Sequence, residues 1–149
     1  MIGTELGMII SCNRKAKTDL EKQTTPFTGH IGPVYAVQRN PVHSRFFLSV
    51  GDWTTRLWID DLRVPIFSTP FDTTYLTTGC WSPTRPSVFF TAKTDGSLDI
   101  WNFITQSKML SMQVTERKQI GLSSLEIHPS GKLMATGATD GTGVLLLLL

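Results

Sequence analysis

Gly51-Asp52-Trp53-Thr54-Thr55-Arg56-Leu57-Trp58 decides the fold. A Gly-Asp turn closes one apolar stretch, Phe46 to Val50, and opens the next, Thr55 to Ile59, which is the pattern of a tight antiparallel hairpin. The frame recurs downstream. Asp52 stands six positions before Trp58, Asp95 six before Trp101, and Asp140 six before Leu146. Each aspartate also follows an X-Pro turn, at 11 positions from Pro41, 12 from Pro83 and 11 from Pro129. Successive aspartates are 43 and 45 residues apart, and a period of that length with Gly-His and Trp punctuation predicts the four-stranded blades of a β-propeller.

Working outward from the hairpin, Val34 to Gln38 is predicted as an inner strand ending at Asn40-Pro41, and Val64 to Phe67 as the outer fourth strand. The next unit repeats the order with Leu76 to Trp81, Val88 to Thr91, Leu98 to Phe103 and Met109 to Val114. A third supplies Leu122 to Ile127, Leu133 to Gly137 and Val144 to Leu149. At the start, Gly3-Thr4-Glu5-Leu6-Gly7 matches the later turns and Met8 to Cys12 the strand after them, which makes Glu5 the equivalent of the aspartates, 47 residues before Asp52. The expected organisation is an all-β propeller fragment: a partial blade over 1–25, whole blades over 26–70 and 71–116, and a partial blade over 117–149. Propellers close with four to eight blades, so these units are expected to belong to a longer propeller and to aggregate when isolated.

Composition sets bounds on function. With 149 residues, 40% hydrophobic and 17% charged, the chain has the size and balance of one soluble globular domain. A net charge of +2 is too mild to argue for nucleic acid. Cys12 and Cys80 form no CxxC pair, so no disulfide is expected and the chain reads as intracellular. The amino terminus has no basic region ahead of a long apolar core, and the longest apolar run, Val144 to Leu149, is far too short to span a bilayer. Neither secretion nor a membrane partner is expected.

In WD-type repeats a histidine before the first strand, a hydroxyl on the second, the turn aspartate and the tryptophan on the third can join in one side-chain network. His30, Asp52 and Trp58 are placed for it, but four positions before Asp52 stands Leu48, and Ser49 is expected to face the other side of its strand. The second unit offers Thr91, Asp95 and Trp101, with Thr73 or Thr74 in place of the histidine. The third offers Thr136 and Asp140 without a tryptophan. All three sets read as incomplete, and because they recur with the blade they are expected to be structural, not catalytic.

No catalytic or metal site is predicted, and no cofactor. His30, His43 and His128 lack metal-site spacing, Gly131-Lys132 lacks the earlier glycine and following hydroxyl of a phosphate loop, and Gly121-Leu122-Ser123-Ser124-Leu125 ends without the glycine of a nucleophile elbow. Two surface features are candidate partner contacts. Arg14, Lys15 and Lys17 form a basic run, readable either as a solvated edge that discourages strand pairing or as a contact for an acidic partner. Trp53 sits in an exposed turn, where a large aromatic is either a binding hot spot or a packing residue against the next blade.

Several strings are more specific. Residues 3–17, from Gly3-Thr4-Glu5 to Lys17, resemble the dynein intermediate chains of cilia. So do Gly29-His30-Ile31-Gly32-Pro33-Val34-Tyr35, the hairpin Gly51 to Trp58, Trp81-Ser82-Pro83-Thr84-Arg85-Pro86-Ser87-Val88-Phe89-Phe90, and Asp95-Gly96-Ser97-Leu98-Asp99-Ile100-Trp101. The likeness runs over about residues 3 to 103 and is fainter to about 144, while the leucines 145–149 depart from it. It implies a non-enzymatic WD-repeat scaffold in the cytoskeleton of the cilium, the axoneme, whose propeller binds the tail of a dynein heavy chain and pairs with a second intermediate chain. The segment that engages light chains in that family is expected to lie outside this chain. The location the likeness implies is the cytoplasm, the cytoskeleton and the ciliary axoneme, and the competing expectation is a generic WD-repeat adaptor such as a ubiquitin-ligase substrate receptor or a trafficking scaffold.

Overall fold

The computed structural model describes residues 1–19 and 25–148. Fourteen strands lie among them, and all their pairings are antiparallel. Strands β1 (Ile2–Gly3), β2 (Met8–Ile10) and β3 (Phe27–Thr28) form one sheet. Strands β4 (Val34–Arg39), β5 (Phe46–Gly51), β6 (Thr54–Ile59) and β7 (Phe67–Ser68) form the second. Strands β8 (Leu76–Trp81), β9 (Val88–Lys93), β10 (Ser97–Asn102) and β11 (Ser107–Gln113) form the third, and β12 (Leu122–Ile127), β13 (Leu133–Ala138) and β14 (Gly143–Leu147) the last. Each sheet is a simple meander of sequential neighbours, as propeller blades are.

Three details differ from the sequence reading. Phe27 pairs with Ile9, so β3 completes the first sheet instead of opening the unit over 26–70. The fourth strand expected over Val64 to Phe67 begins only at Phe67, because Pro65 has no N–H to give the ladder; Ile66 makes one isolated bond to Leu57 and pairing follows at Phe67 and Ser68. The last strand runs from Gly143 to Leu147, and Leu149, expected within it, lies outside the described residues.

The core lies between blades. Leu48, Val50 and Leu57 of the second sheet pack against Leu76, Trp81, Phe89 and Trp101 of the third, while Cys80, Val88, Phe90 and Leu98 of the third meet Leu122, Leu125 and Met134 of the fourth. Both faces of β5 and β9 are therefore covered, which explains why these strands read as continuous apolar runs instead of alternating. The tryptophan of the repeat has a fixed partner: Trp58 lies opposite Phe47 with ring planes 8° apart, and Trp101 opposite Phe89 with planes 5° apart. In the fourth sheet the pair is Met134 and Leu146, aliphatic in place of aromatic. Polar links also cross between blades. The backbone N–H of Trp81 donates to Oε1 of Gln38 at 2.7 Å, its indole N–H donates to the Gln38 carbonyl at 3.1 Å, and Nδ2 of Asn40 donates to the Pro86 carbonyl at 2.7 Å.

The strand directions sort the loops onto two faces. Turns between second and third strands, and the loops that lead from one blade to the next, share one face; the remaining described loops, at 11–19, 40–45, 60–66, 82–87, 103–106 and 128–132, share the other.

Candidate functional site

The turn aspartates hold their hairpins by one device. Oδ1 of Asp52 accepts the N–H of Thr54, Oδ1 of Asp95 that of Ser97, and Oδ1 of Asp140 that of Thr142, each at 2.9 Å. A left-handed residue completes each turn: Asp52 itself at φ 49°, but glycine in the others, Gly96 at 80° and Gly141 at 87°. The first hairpin is one residue shorter as a result, β6 starting two residues after Asp52 while β10 starts two after Asp95 across a longer link from β9. The register makes Ser49, opposite Arg56, the counterpart of Thr91, opposite Asp99, and of Thr136, opposite Val144.

Ser49 is therefore the hydroxyl of the first set, and the expectation that it faces away is corrected. Its Oγ accepts the indole N–H of Trp58 at 2.9 Å and lies 2.7 Å from Nε2 of His30. The other ring nitrogen of His30 is 3.2 Å from Oδ2 of Asp52, which also accepts the N–H of Ile31 at 2.9 Å. A carboxylate only accepts, so Nδ1 carries the ring proton, Nε2 accepts from the Ser49 hydroxyl, and the four side chains form a linear relay from Trp58 to Asp52 with every donor used. Burial pushes His30 below its ordinary value, outweighing the pull of Asp52, so the ring is neutral. Burial alone would raise Asp52, but the hydrogen bonds from Ile31 and Thr54, with His30 beside it, hold it below the usual carboxylate value.

The second set is built differently. Thr74 Oγ1 donates to Asp95 at 3.4 Å, Thr91 has a buried hydroxyl with no partner among the described residues, and Trp101 lies under the ammonium of Lys108 at 5.2 Å. Asp72, four positions before β8 as His30 is four before β4, turns toward Lys93. Lys93 Nζ sits 3.1 Å from Asp72 and 2.9 Å from Asp99, and Lys108 Nζ sits 2.7 Å from Asp99. Two ammonium and two carboxylate groups thus replace the neutral relay. Burial acts to neutralise Lys93 and Asp99, but their pairing prevails, raising Lys93 and lowering Asp99. Nothing in the repeat count marks this cluster; the available signal is Asp99 between Leu98 and Ile100, on the same strand face as Trp101, with lysines on both neighbouring strands.

In the third set Thr136 Oγ1 donates to the Val144 carbonyl at 3.3 Å, and Asp140 is exposed and holds only its own turn. At the chain start, Thr4 and Gly7 make the bonds that Ala138 and Gly141 make later, so the aspartate place belongs to Leu6, and Glu5 stands one residue earlier. No group of three or more metal-ligating side chains occurs among the described residues. Burial and the nearby Glu126 carboxylate push the Cys80 thiol up to about 12, which leaves it protonated and unreactive.

The two candidate contacts lie on opposite faces. Trp53 packs edge-on against Tyr75 at 5.1 Å while remaining 39% exposed, and Tyr75 meets Tyr35 at 5.8 Å. With Ile31 and Phe71 also exposed nearby, the turn face carries an aromatic ridge. Arg14, Lys15 and Lys17 are exposed in the loop after β2, on the other face.

The sequence as a whole is similar to known proteins. The family model described as the Dynein axonemal intermediate chain 3 WD40 domain matches residues 1–145. "Dynein intermediate chain 3, ciliary" of Heliocidaris crassispina is 52% identical over 98% of this chain and 24% of its own length. "Dynein, 70 kDa intermediate chain, flagellar outer arm" of Chlamydomonas reinhardtii is 45% identical over 99% of this chain and 26% of its own length. "Dynein axonemal intermediate chain 2" of Homo sapiens is 48% identical over 98% of this chain and 24% of its own length. The chain spans about a quarter of the length of these relatives. With matched identity along nearly all of its residues and the blade architecture described above, the chain belongs to the WD40-containing dynein intermediate chain family.

Proposed function

We propose that the chain acts as a non-catalytic scaffold subunit of an axonemal outer-arm dynein. In this reading its propeller binds the tail of a heavy chain and pairs with a second intermediate chain, while light chains engage regions outside these residues. The observation that carries it is the identity of 45% to 52% with ciliary and flagellar dynein chains over nearly every residue. The site chemistry is in accord. His30, Ser49, Asp52 and Trp58 saturate one another inside a blade, and Lys93, Asp72, Asp99 and Lys108 neutralise one another inside the next. The hydrogen-bonded relay and the ion-paired cluster hold their blades in register, which suits a structural role.

The scaffold role is tested by removing the full chain from ciliated cells and imaging axoneme cross-sections. The expected result is axonemes of normal microtubule pattern with missing outer arms. Complete arms together with a defect in protein turnover or trafficking would refute the proposal in favour of a generic adaptor.

A further inference from the structure

Charge is segregated between the two faces of the blades. The turn face holds Glu5, Asp52, Asp72, Asp95, Glu116 and Asp140 against Lys93, Arg117 and Lys118. On the opposite face, the described loops and strand ends carry more cations than carboxylates. Arg39 pairs with Asp60 at 3.0 Å and Arg45 with Asp61. Arg14, Lys15, Lys17, Arg63, Arg85 and Lys132 are exposed there as well. A net charge of +2 over the whole chain conceals this polarity.

The cations are held on a continuous surface. Asn40 bonds the Pro86 carbonyl at 2.7 Å, and Thr84 packs so closely on Gly131 that a Cβ there would meet its Oγ1 at 2.3 Å. The loops carrying Arg45, Arg85 and Lys132 therefore touch in succession. Arg63 lies over the Phe27 ring at 4.2 Å, which fixes its guanidinium beside the sheet whose loop bears Arg14, Lys15 and Lys17. Apolar side chains are interleaved: Val42 is 55% exposed, Leu62 48%, Val64 64% and Ile104 72%.

We propose that this face docks an acidic, apolar-bearing segment of a protein partner, with carboxylates on Arg63, Arg85 and Lys132 and aliphatic side chains on Val42, Leu62, Val64 and Ile104. The mixed chemistry selects that occupant. A phosphate backbone would meet Asp60 and Asp61 within the patch, and single-stranded bases would need aromatic platforms. The exposed aromatics Tyr35, Trp53 and Phe71 all belong to the other face. An anionic bilayer would favour a denser run of four or more cations, where this loop has three in residues 14–17. The inference goes beyond the dynein reading and does not depend on it, since the same surface would serve any assembly.

The test is binding of the full chain to an immobilised synthetic peptide alternating glutamate with leucine, over a range of salt concentrations. Saturable binding that weakens as salt rises is expected. Arg63→Glu combined with Arg85→Glu and Lys132→Glu should reduce the affinity about tenfold or more. Arg117→Glu with Lys118→Glu, on the opposite face, should leave it unchanged. Arg85→Gln with Lys132→Gln, which removes charge without reversing it, should give a smaller loss of the same kind and serves if the reversal variant does not fold. Equal binding by wild type and both neutralised and reversed variants would overturn the proposal. So would tighter, Arg85-dependent binding to duplex DNA or phosphatidylserine vesicles than to the peptide, which would reassign the face.

Discussion

The hydroxyl of Ser49 lies 2.7 Å from Nε2 of His30, tying the middle of β5 to the loop that precedes β4. The same oxygen receives the Trp58 indole, so one small side chain joins three consecutive parts of a blade. Ser49→Ala would leave the indole N–H without a partner and the ring nitrogen without a donor in a site closed to water. The expected cost is about 1 to 3 kcal/mol, read as a lowered denaturation midpoint with unchanged slope. Ser49→Thr should lose much less, because threonine stands at the corresponding place in the next two blades. Equal stability of Ser49→Ala and wild type would remove the relay from the account.

The relay also sets a response to acid. His30 is held below 6.5 by burial, so the unfolded chain binds a proton before the folded one does. Its contribution to stability is then full above about pH 6.5 and declines as pH falls through that value. Asp52, Asp95 and Asp99 are held below 3.8, so their contributions are full above that value and vanish at lower pH. Thermal melts of the full chain should show a falling Tm between about pH 7 and 5.5, and His30→Gln, which does not titrate, should show a flatter profile from a lower start. Parallel profiles for the two proteins would contradict this assignment.

In the neighbouring blade the prediction concerns charge. Lys93 is 7% exposed and faces both Asp72 and Asp99, whereas Lys108 is 35% exposed. Lys93→Met leaves Asp72 and the buried Asp99 to share the more exposed Lys108 and should cost about 3 kcal/mol. Lys108→Met should cost clearly less, since solvent screens the charge it removes. Chemical denaturation of both variants checks the order; a reversed order would mean that Lys108, not Lys93, is the main counter-ion.

Trp53 divides its surface between Tyr75 and solvent. Trp53→Ala should cost roughly 0.5 to 1.5 kcal/mol from the lost edge contact and should also weaken retention of a dynein heavy chain in pull-downs. Lowered stability with unchanged retention would leave Trp53 a packing residue only.

Most of the strand order was legible in the sequence because the repeat marks it: X-Pro turns, Asp turns and Trp strands fall at fixed intervals, and Leu122–Ile127 was placed residue for residue. The errors came where one residue changes the register. A hairpin shortened at Asp52 moved the relay hydroxyl from the fourth to the third preceding position, hiding Ser49. The same sensitivity set Glu5 where Leu6 belongs. Pro65 delayed the outer strand. The Lys93–Asp99 cluster was hidden for another reason: it is assembled from three strands and a loop, and only β-pairing brings those charges together.

The central claim is tested most directly by quantitative affinity purification of the full chain from isolated axonemes, with a tag on the chain and mass spectrometry of what is retained at moderate salt. The account predicts a dynein heavy chain and a second intermediate chain in amounts comparable to the tagged chain. Recovery of ubiquitin-ligase or trafficking components with no dynein heavy chain would contradict it.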